Sequence, residues 1–363
     1  MAVPTLYYVD ADGGTDDATG DRGAVVGNPW ASMQYALDHI TRDVTNGDRV
    51  NLKSDGTNTL AAELTLATYG SPSITAPLTL AGYTTAAYDG GLGKISGDSS
   101  YVVLNRTRYV NYVDLHVIDA ISNAFYVERG TAQRCVIEDC TGLAIRLYQH
   151  AVAIGNHVIN PGGDGIETVS AFNAVLYNYI EDGAKVLTRA IQASAYGTIV
   201  TGNIISLGSA DPVGIISVGD INTVSHNSIL SQGGTGYGIL IDGVGSYSQT
   251  IINNLVEGFS GGGGEGILTR TILPQASIVA NNAVYNCTTN YELDAATLVT
   301  PSDNEELASS PFMKSGANTF ANRFKYFAPR NVGNVRGGSY PGGCNQDKGA
   351  VQSPPRMIGL VAS

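Results

Sequence analysis

The chain has 363 residues, 43% of them hydrophobic and 14% charged, with 45 Gly and a formal net charge of −12. That apolar share excludes a disordered chain, and the acidic balance disfavours nucleic acid and anionic membrane as partners, because both repel it. No window of 18 or more apolar residues is present, so no membrane-spanning helix is expected.

The chain opens with "MAVPTLYYVD", an extended segment without the basic start and apolar core of a secretory signal. The loop "DADGGTDDATGD" follows. Asp10, Asp12, Asp16 and Asp17 there read as turn formers bonding their own backbone; calcium, which takes several oxygens from one flexible loop, is the alternative. "NPWASMQYALDHI" predicts a helix with Asn28 as N-cap and Pro29 at its first position. Trp30, Met33, Leu37 and Ile40 would share its buried face. Residues 1–45 thus form a capping entry, and "NGDRVNLKSDGT" starts the first coil.

Residues 46–293 carry a repeat. Its first register is an Asn closing a short apolar run: Asn156, Asn178, Asn203, Asn227, Asn254 and Asn282, spaced by 22, 25, 24, 27 and 28 residues. Its second is a small residue followed by Ile, at Ala144, Gly165, Ala190, Gly214, Gly238 and Gly266. Two registers drifting together at one period indicate stacked units. Each unit has room for two or three strands of four to six residues and none for a helix of ten. The expected fold is all-β: a single-stranded coil of parallel strands, one turn per unit, each coil rising by about 4.8 Å. An Asn at the same corner of every coil can bond its amide to the copies above and below, and it tolerates a left-handed corner. Val and Ile stack inside. After about Tyr291 the repeat fades, and 294–363 reads as an irregular closing tail. Cys135, Cys140, Cys287 and Cys344 form no CxxC pair or zinc pattern and read as buried thiols. His150 and His157 lack a third partner, so no metal site is expected.

These features resemble the pectate-lyase-like right-handed parallel β-helix superfamily. The entry "YYVDADGGTDDATGDRG" with "NPWASMQYAL" is similar to the extended strand, Gly/Asp loop and capping helix of its bacterial and phage members, and "SSPF…DKGAVQ" is similar to their closing segment. The resemblance implies the fold and leaves the activity open among polysaccharide lyases, glycoside hydrolases, epimerases, tailspikes and decoration proteins.

The densest charged cluster of the repeat falls beside the second register. Stacking would place Arg146, Asp164, Glu167, Arg189 and Gln192 on one outer patch, with Lys185 in the preceding turn and Tyr148 and His150 at its edge. A lyase would use Lys185 as base, its pKa lowered by neighbouring cations, with Arg146 and Arg189 as substrate clamps. A hydrolase would use Asp164 and Glu167 as its two carboxyls. A sugar-binding patch would use the same groups with Arg146, Gln192, Tyr148 and His150 in contact. The plainest reading is a salt-bridge ladder between coils, each rung contributing about 0–1 kcal/mol. Tyr237, Tyr247 and Tyr285 are further stacking candidates.

Composition and the absence of a compelling catalytic set favour a virion-surface β-helix, tailspike-like or capsid-decorating, with capsid or tail proteins as neighbours, a host glycan as ligand and a homotrimer as assembly. The alternative is a secreted or cell-surface polysaccharide lyase or glycoside hydrolase.

Overall fold

The computed structural model describes residues 3–17, 23–60, 62–97, 101–103, 107–182, 187–208, 212–242, 248–270, 277–293, 299–302, 304–307, 338–339 and 345–346. Two compact units, Met1–Gly163 and Asp164–Ala362, divide the chain. Each is a run of single-stranded parallel β-helix, the fold that the resemblance implies.

In the first unit, sheet A pairs Thr5–Val9, Asp48–Lys53, Leu78–Tyr83, Val110–Val113, Thr131–Gln133 and Val152–Ile154 in parallel. Sheet B pairs Thr57–Leu60, Gly93–Gly97, Leu115–Ile118, Val136–Glu138 and His157–Ile159. Sheet C pairs Tyr101–Val103, Asn123–Glu128 and Ile145–Tyr148. The second unit repeats the plan. Its sheet A runs from Ala174–Leu176 through Ile199–Thr201, Thr223–Ser225, Thr250–Ile252 and Ser277–Ala280 to Val299–Ser302. Its sheet B runs from Tyr179–Glu181 through Ile204–Leu207, Ser228–Ser231, Leu255–Glu257 and Ala283–Tyr285 to Glu305–Glu306. Its sheet C runs from Ile166–Thr168 through Arg189–Ala193, Val213–Ser217, Tyr237–Ile241 and Glu265–Thr269 to Thr289–Glu292. Pairing therefore continues past residue 293, where the apolar pattern fades.

Alternation along each strand turns one row of side chains inward. Val200, Val224, Ile251 and Val279 stack from sheet A, Ile205, Ile229, Val256 and Val284 from sheet B, and Ile191, Ile215, Ile239 and Ile267 from sheet C. All twelve are buried. The glycine of the Gly-Ile phrase follows from this crowding. A Cβ at Gly238 would stand 2.3 Å from Val256 Cγ1 and 2.6 Å from the Gly266 carbonyl oxygen.

The Asn ladder forms within the second unit. From Asn203 through Asn227, Asn254 and Asn282 to Asn304, each Oδ1 accepts from the backbone N–H and the amide of the preceding Asn at 2.9–3.0 Å. In the first unit Asn156 accepts from the Cys135 backbone N–H at 3.0 Å and donates to the Ala132 carbonyl at 2.9 Å. The left-handed corner residue is not the ladder Asn, as expected, but the one before it: Tyr177, Gly202, His226, Asn253 and Asn281 have φ of 54, 71, 55, 58 and 54°. Bending one residue earlier leaves the ladder Asn free to point inward.

The entry helix spans Met33–His39, later than predicted. Asn28 and Pro29 do not start it. Trp30 instead bridges in parallel with Val9, and Ser32 is the N-cap, its Oγ accepting from Tyr35 N–H. Of the expected apolar face, Met33 and Leu37 lie on the helix, while Trp30 precedes it and Ile40 is its C-cap; all four are buried. Among the described residues no helix is long and apolar enough to cross a membrane.

Candidate functional site

The predicted site residues are described unit by unit. Lys185 lies outside the described residues. In the second unit, Arg189 Nε meets Asp164 Oδ1 at 2.9 Å, and Glu167 pairs in register with Gln192, whose amide donates to Ser194 Oγ. The Arg189–Asp164 contact is a rung of the expected salt-bridge ladder. In the first unit, Arg146 and Tyr148 stand on the sheet C strand Ile145–Tyr148, in register with Tyr126 and Glu128. Tyr148 stacks on Tyr126 with ring centroids 5.6 Å apart. His150 lies at the next corner with φ 56°.

That corner borders a cavity in the first unit. It joins sheet C to sheet A through Tyr109, Arg129, Gln149 and His150, all left-handed with φ between 41 and 60°. Tyr109 N–H donates to the Glu128 carbonyl at 2.9 Å, and Arg129 N–H donates to the Gln149 carbonyl at 3.1 Å, so successive coils are locked corner on corner. Arg129 Nη1 donates to Tyr109 Oη at 3.0 Å, and Nη2 donates to Gln149 Oε1 at 3.1 Å. Its guanidinium carbon lies 6.0 Å from the Tyr109 ring centre. The corner opens onto a cavity of about 460 Å³ lined by Ile74, Pro77, Tyr109, Asn111, Arg129 and His150, within the usual range for small-ligand sites.

The described arginines divide into paired and unpaired ones, and Arg42, Arg49 and Arg129 form no ion pair among the described residues. Arg108 is paired with Glu128, Arg134 with Asp114 through two bonds of 2.7 Å, Arg189 with Asp164 and Arg270 with Asp242. Arg129 bonds only neutral groups and forms no ion pair among the described residues. Its Nε is buried and finds no acceptor among them. A preorganised cation beside a tyrosine, an amide and an imidazole can hold a sugar by stacking and hydrogen bonding, and an anionic group by charge.

Another charged cluster lies on sheet C of the second unit. Arg270 Nη2 donates to Tyr237 Oη at 3.0 Å, and its guanidinium sits 5.1 Å from the Tyr237 ring centre. Burial, and then the adjacent Glu292, push the Glu265 carboxyl above its ordinary range.

The Asp loop is built for turning and capping. Asp10 Oδ1 accepts from Asp12 and Gly13 N–H, and its Oδ2 meets Lys53 Nζ at 2.8 Å. Asp16 accepts from Ala31 N–H, Ser32 N–H and Ser32 Oγ at the helix start. Of the tyrosines singled out, Tyr237 stacks with Arg270, Tyr285 ends a sheet B strand and Tyr247 lies outside the described residues. Tyr109, Asn111 and Arg129 were missed by sequence reasoning. Their signal was present: Arg129 lies 20 residues after Tyr109 and 21 before His150, close to one coil either way.

No protein-family model matches the chain, and no curated protein sequence does. Among solved structures it is similar to pectate lyase Pel9A, at 11% identity over 97% of each chain with a TM-score of 0.48. It is similar to the GH136 lacto-N-biosidase from Eubacterium ramulus, at 11% identity over 83% of this chain and 67% of that one, TM-score 0.48. It is also similar to the alginate lyase from Paenibacillus sp. str. FPU-7, at 14% identity over 77% of this chain and 93% of that one, TM-score 0.45. These likenesses go with the coil and assign no activity to this chain.

Proposed function

We propose that this chain is a non-catalytic, glycan-binding parallel β-helix whose ligand sits at the Tyr109–Arg129–His150 corner. The observation that carries the reading is Arg129, a cation without an ion pair among the described residues, fixed between a phenol and an amide at the mouth of a cavity. A sugar bearing a carboxylate or sulfate is the favoured ligand, since a charge-assisted bond to a guanidinium is stronger than a neutral one. The proposed setting is a virion surface, with capsid or tail proteins as neighbours and a homotrimer as assembly. Composition alone supports that setting: an acidic, lysine-poor exterior suits display away from nucleic acid and membrane.

A glycan array followed by calorimetry tests the site. Binding to an acidic oligosaccharide should weaken about ten- to a hundredfold in Arg129→Ala, from the loss of about 1.5–3 kcal/mol per charged hydrogen bond. It should survive Phe172→Ala, at an exposed corner of the second unit. Equal binding by wild type and Arg129→Ala would refute the site. Release of unsaturated or reducing ends from the bound glycan would refute the non-catalytic reading and favour the lyase or hydrolase.

A further inference from the structure

In the second unit the strands of sheets B and C carry charge: Glu181 and Glu257 on sheet B, and Glu167, Arg189, Glu265 and Glu292 on sheet C. Sheet A differs. From Ala174–Leu176 through Ile199–Thr201, Thr223–Ser225 and Thr250–Ile252 to Ser277–Ala280, no strand residue is charged. Val175, Val200, Val224, Ile251 and Val279 turn inward. Alternation therefore leaves two outward rows, Ala174–Ile199–Thr223–Thr250–Ile278 and Leu176–Thr201–Ser225–Ile252–Ala280. Ile199 and Ile278 are 46 and 48% exposed. At the corner that leads into these strands, Phe172, Gly197 and Ile221 stack with φ of 60, 67 and 54°. Glycine takes that left-handed backbone without strain, whereas a bulky or β-branched residue does not. Yet Phe172 and Ile221 stand there 53 and 50% exposed. Tyr177, at the corner that leaves the sheet, repeats this with φ 54° and 44% exposure. Strained backbone that holds large apolar side chains in solvent marks a contact surface.

We propose that a second copy of this chain docks on this face, sheet A against sheet A across a two-fold axis. This goes beyond the glycan-binding reading and the trimer placed with it: a face that meets itself pairs copies in twos, through whatever other face they also join. Charge selects the occupant. Each copy carries a net −12, so copies repel, and they repel least where neither presents a carboxylate on its strands. An anionic glycan, a nucleic acid or an anionic lipid surface meets no cation there. An identical face is covered without stripping water from any strand charge. The Thr201 and Ser225 hydroxyls already bond each other at 2.8 Å, so covering them leaves neither without a partner. A two-fold axis along the strands, midway between Thr223 and Thr250, sets Ile199 of one copy on Ile278 of the partner subunit, and the reverse. The face is about 19 Å along the coils and about 16 Å from Phe172 to Tyr177, about 300 Å² in plan. That is below the roughly 800 Å² per partner of a standard interface, so the pairing is weak and is populated at high protein concentration.

Sedimentation equilibrium of the full-length protein under reducing conditions, from about 10 µM to about 0.5 mM, tests this. The expected result is a reversible doubling of mass that strengthens from about 0.05 to about 0.5 M salt, because salt screens the repulsion between copies. No glycan is added, so failure here leaves the glycan reading standing. Ile199→Glu and Ile278→Lys, both at exposed positions, should keep the circular dichroism of the coil and each weaken the doubling at least tenfold. Mixed together, the two variants should pair at least tenfold more tightly than either does alone, since Glu then faces Lys across the axis. Constant mass over the whole range would overturn the proposal. So would doubling that weakens with salt, or doubling that is unchanged in both folded variants, which would place the contact on another face.

Discussion

Replacing Asn227 by Ala tests the stacking that the whole coil depends on. Asn227 Oδ1 accepts from the Asn203 backbone N–H at 3.0 Å and from the Asn203 amide at 2.9 Å. Its own amide donates to the Val200 carbonyl at 3.1 Å and to Asn254 Oδ1 at 3.0 Å. Asn203, Asn227 and Asn254 are fully buried. The substitution removes four bonds and strips the Asn203 N–H of its acceptor where no water reaches it. At about 1 kcal/mol net per bond, with about 1–3 kcal/mol for a buried group left unsatisfied, the loss should be about 5–7 kcal/mol. Urea unfolding followed by circular dichroism reads it, with Thr223→Ala on the outward row of sheet A as a control expected within about 0.5 kcal/mol. A loss under about 1 kcal/mol for Asn227→Ala would refute the ladder as a stabilising element and reduce it to a by-product of the corner.

Burial pushes the Asp48 carboxyl upward, although Tyr69 Oη and Asp43 N–H both donate to its Oδ2. The folded state therefore holds this proton to higher pH than the unfolded chain. That contribution is present below the unfolded value of about 3.9 and is lost as pH rises through the folded one. Asp48→Asn keeps the accepting oxygen and should flatten this part of the pH dependence of urea unfolding; an unchanged slope would contradict it. Burial pushes the thiols of Cys135 and Cys287 up to about 12 and about 11. Peptide mapping after maleimide treatment at pH 8 should find both unlabelled in the native protein and labelled in denaturant, and rapid native labelling would show that these coils open. Gly238→Ala should cost about 1–3 kcal/mol by overpacking against Val256 and the Gly266 carbonyl. A neutral result would mean that the coil dilates freely.

The coil was legible because its determinants are local and repeated. Each unit needs inward Val or Ile at period two and an Asn at one corner, and both recur within 22–28 residues. What was misread depends on partners distant in sequence. The helix start moved from Asn28 to Ser32 because Trp30 pairs with Val9 and Asp16 takes the amides of Ala31 and Ser32. Asn304 extends the ladder, but it sits in "PSDNEEL", which lacks the apolar run that marked the other copies. The left-handed corner position holds Tyr, Gly, His and Asn in turn, so no residue type announces it. Within the predicted charged cluster, Asp164 and Arg189 pair at 2.9 Å, a contact one coil apart that the period of the repeat made legible.

The same logic explains why the candidate site falls at a corner and not on a sheet. On a parallel sheet every outward side chain has a neighbour about 4.8 Å above and below. Rows therefore satisfy themselves, as Arg189 does with Asp164 and Tyr148 with Tyr126. A ligand there would have to displace a partner already in place. The Tyr109–Arg129–His150 corner differs in that the long connection between Leu60 and Leu78 adds Ile74 and Pro77 to the lining of its cavity. The interruption converts a convex edge into a concavity and leaves Arg129 without a carboxylate among the described residues. Recognition thus arises where the repeat is broken, and the coils on either side hold Tyr109, Arg129 and Gln149 in register for it.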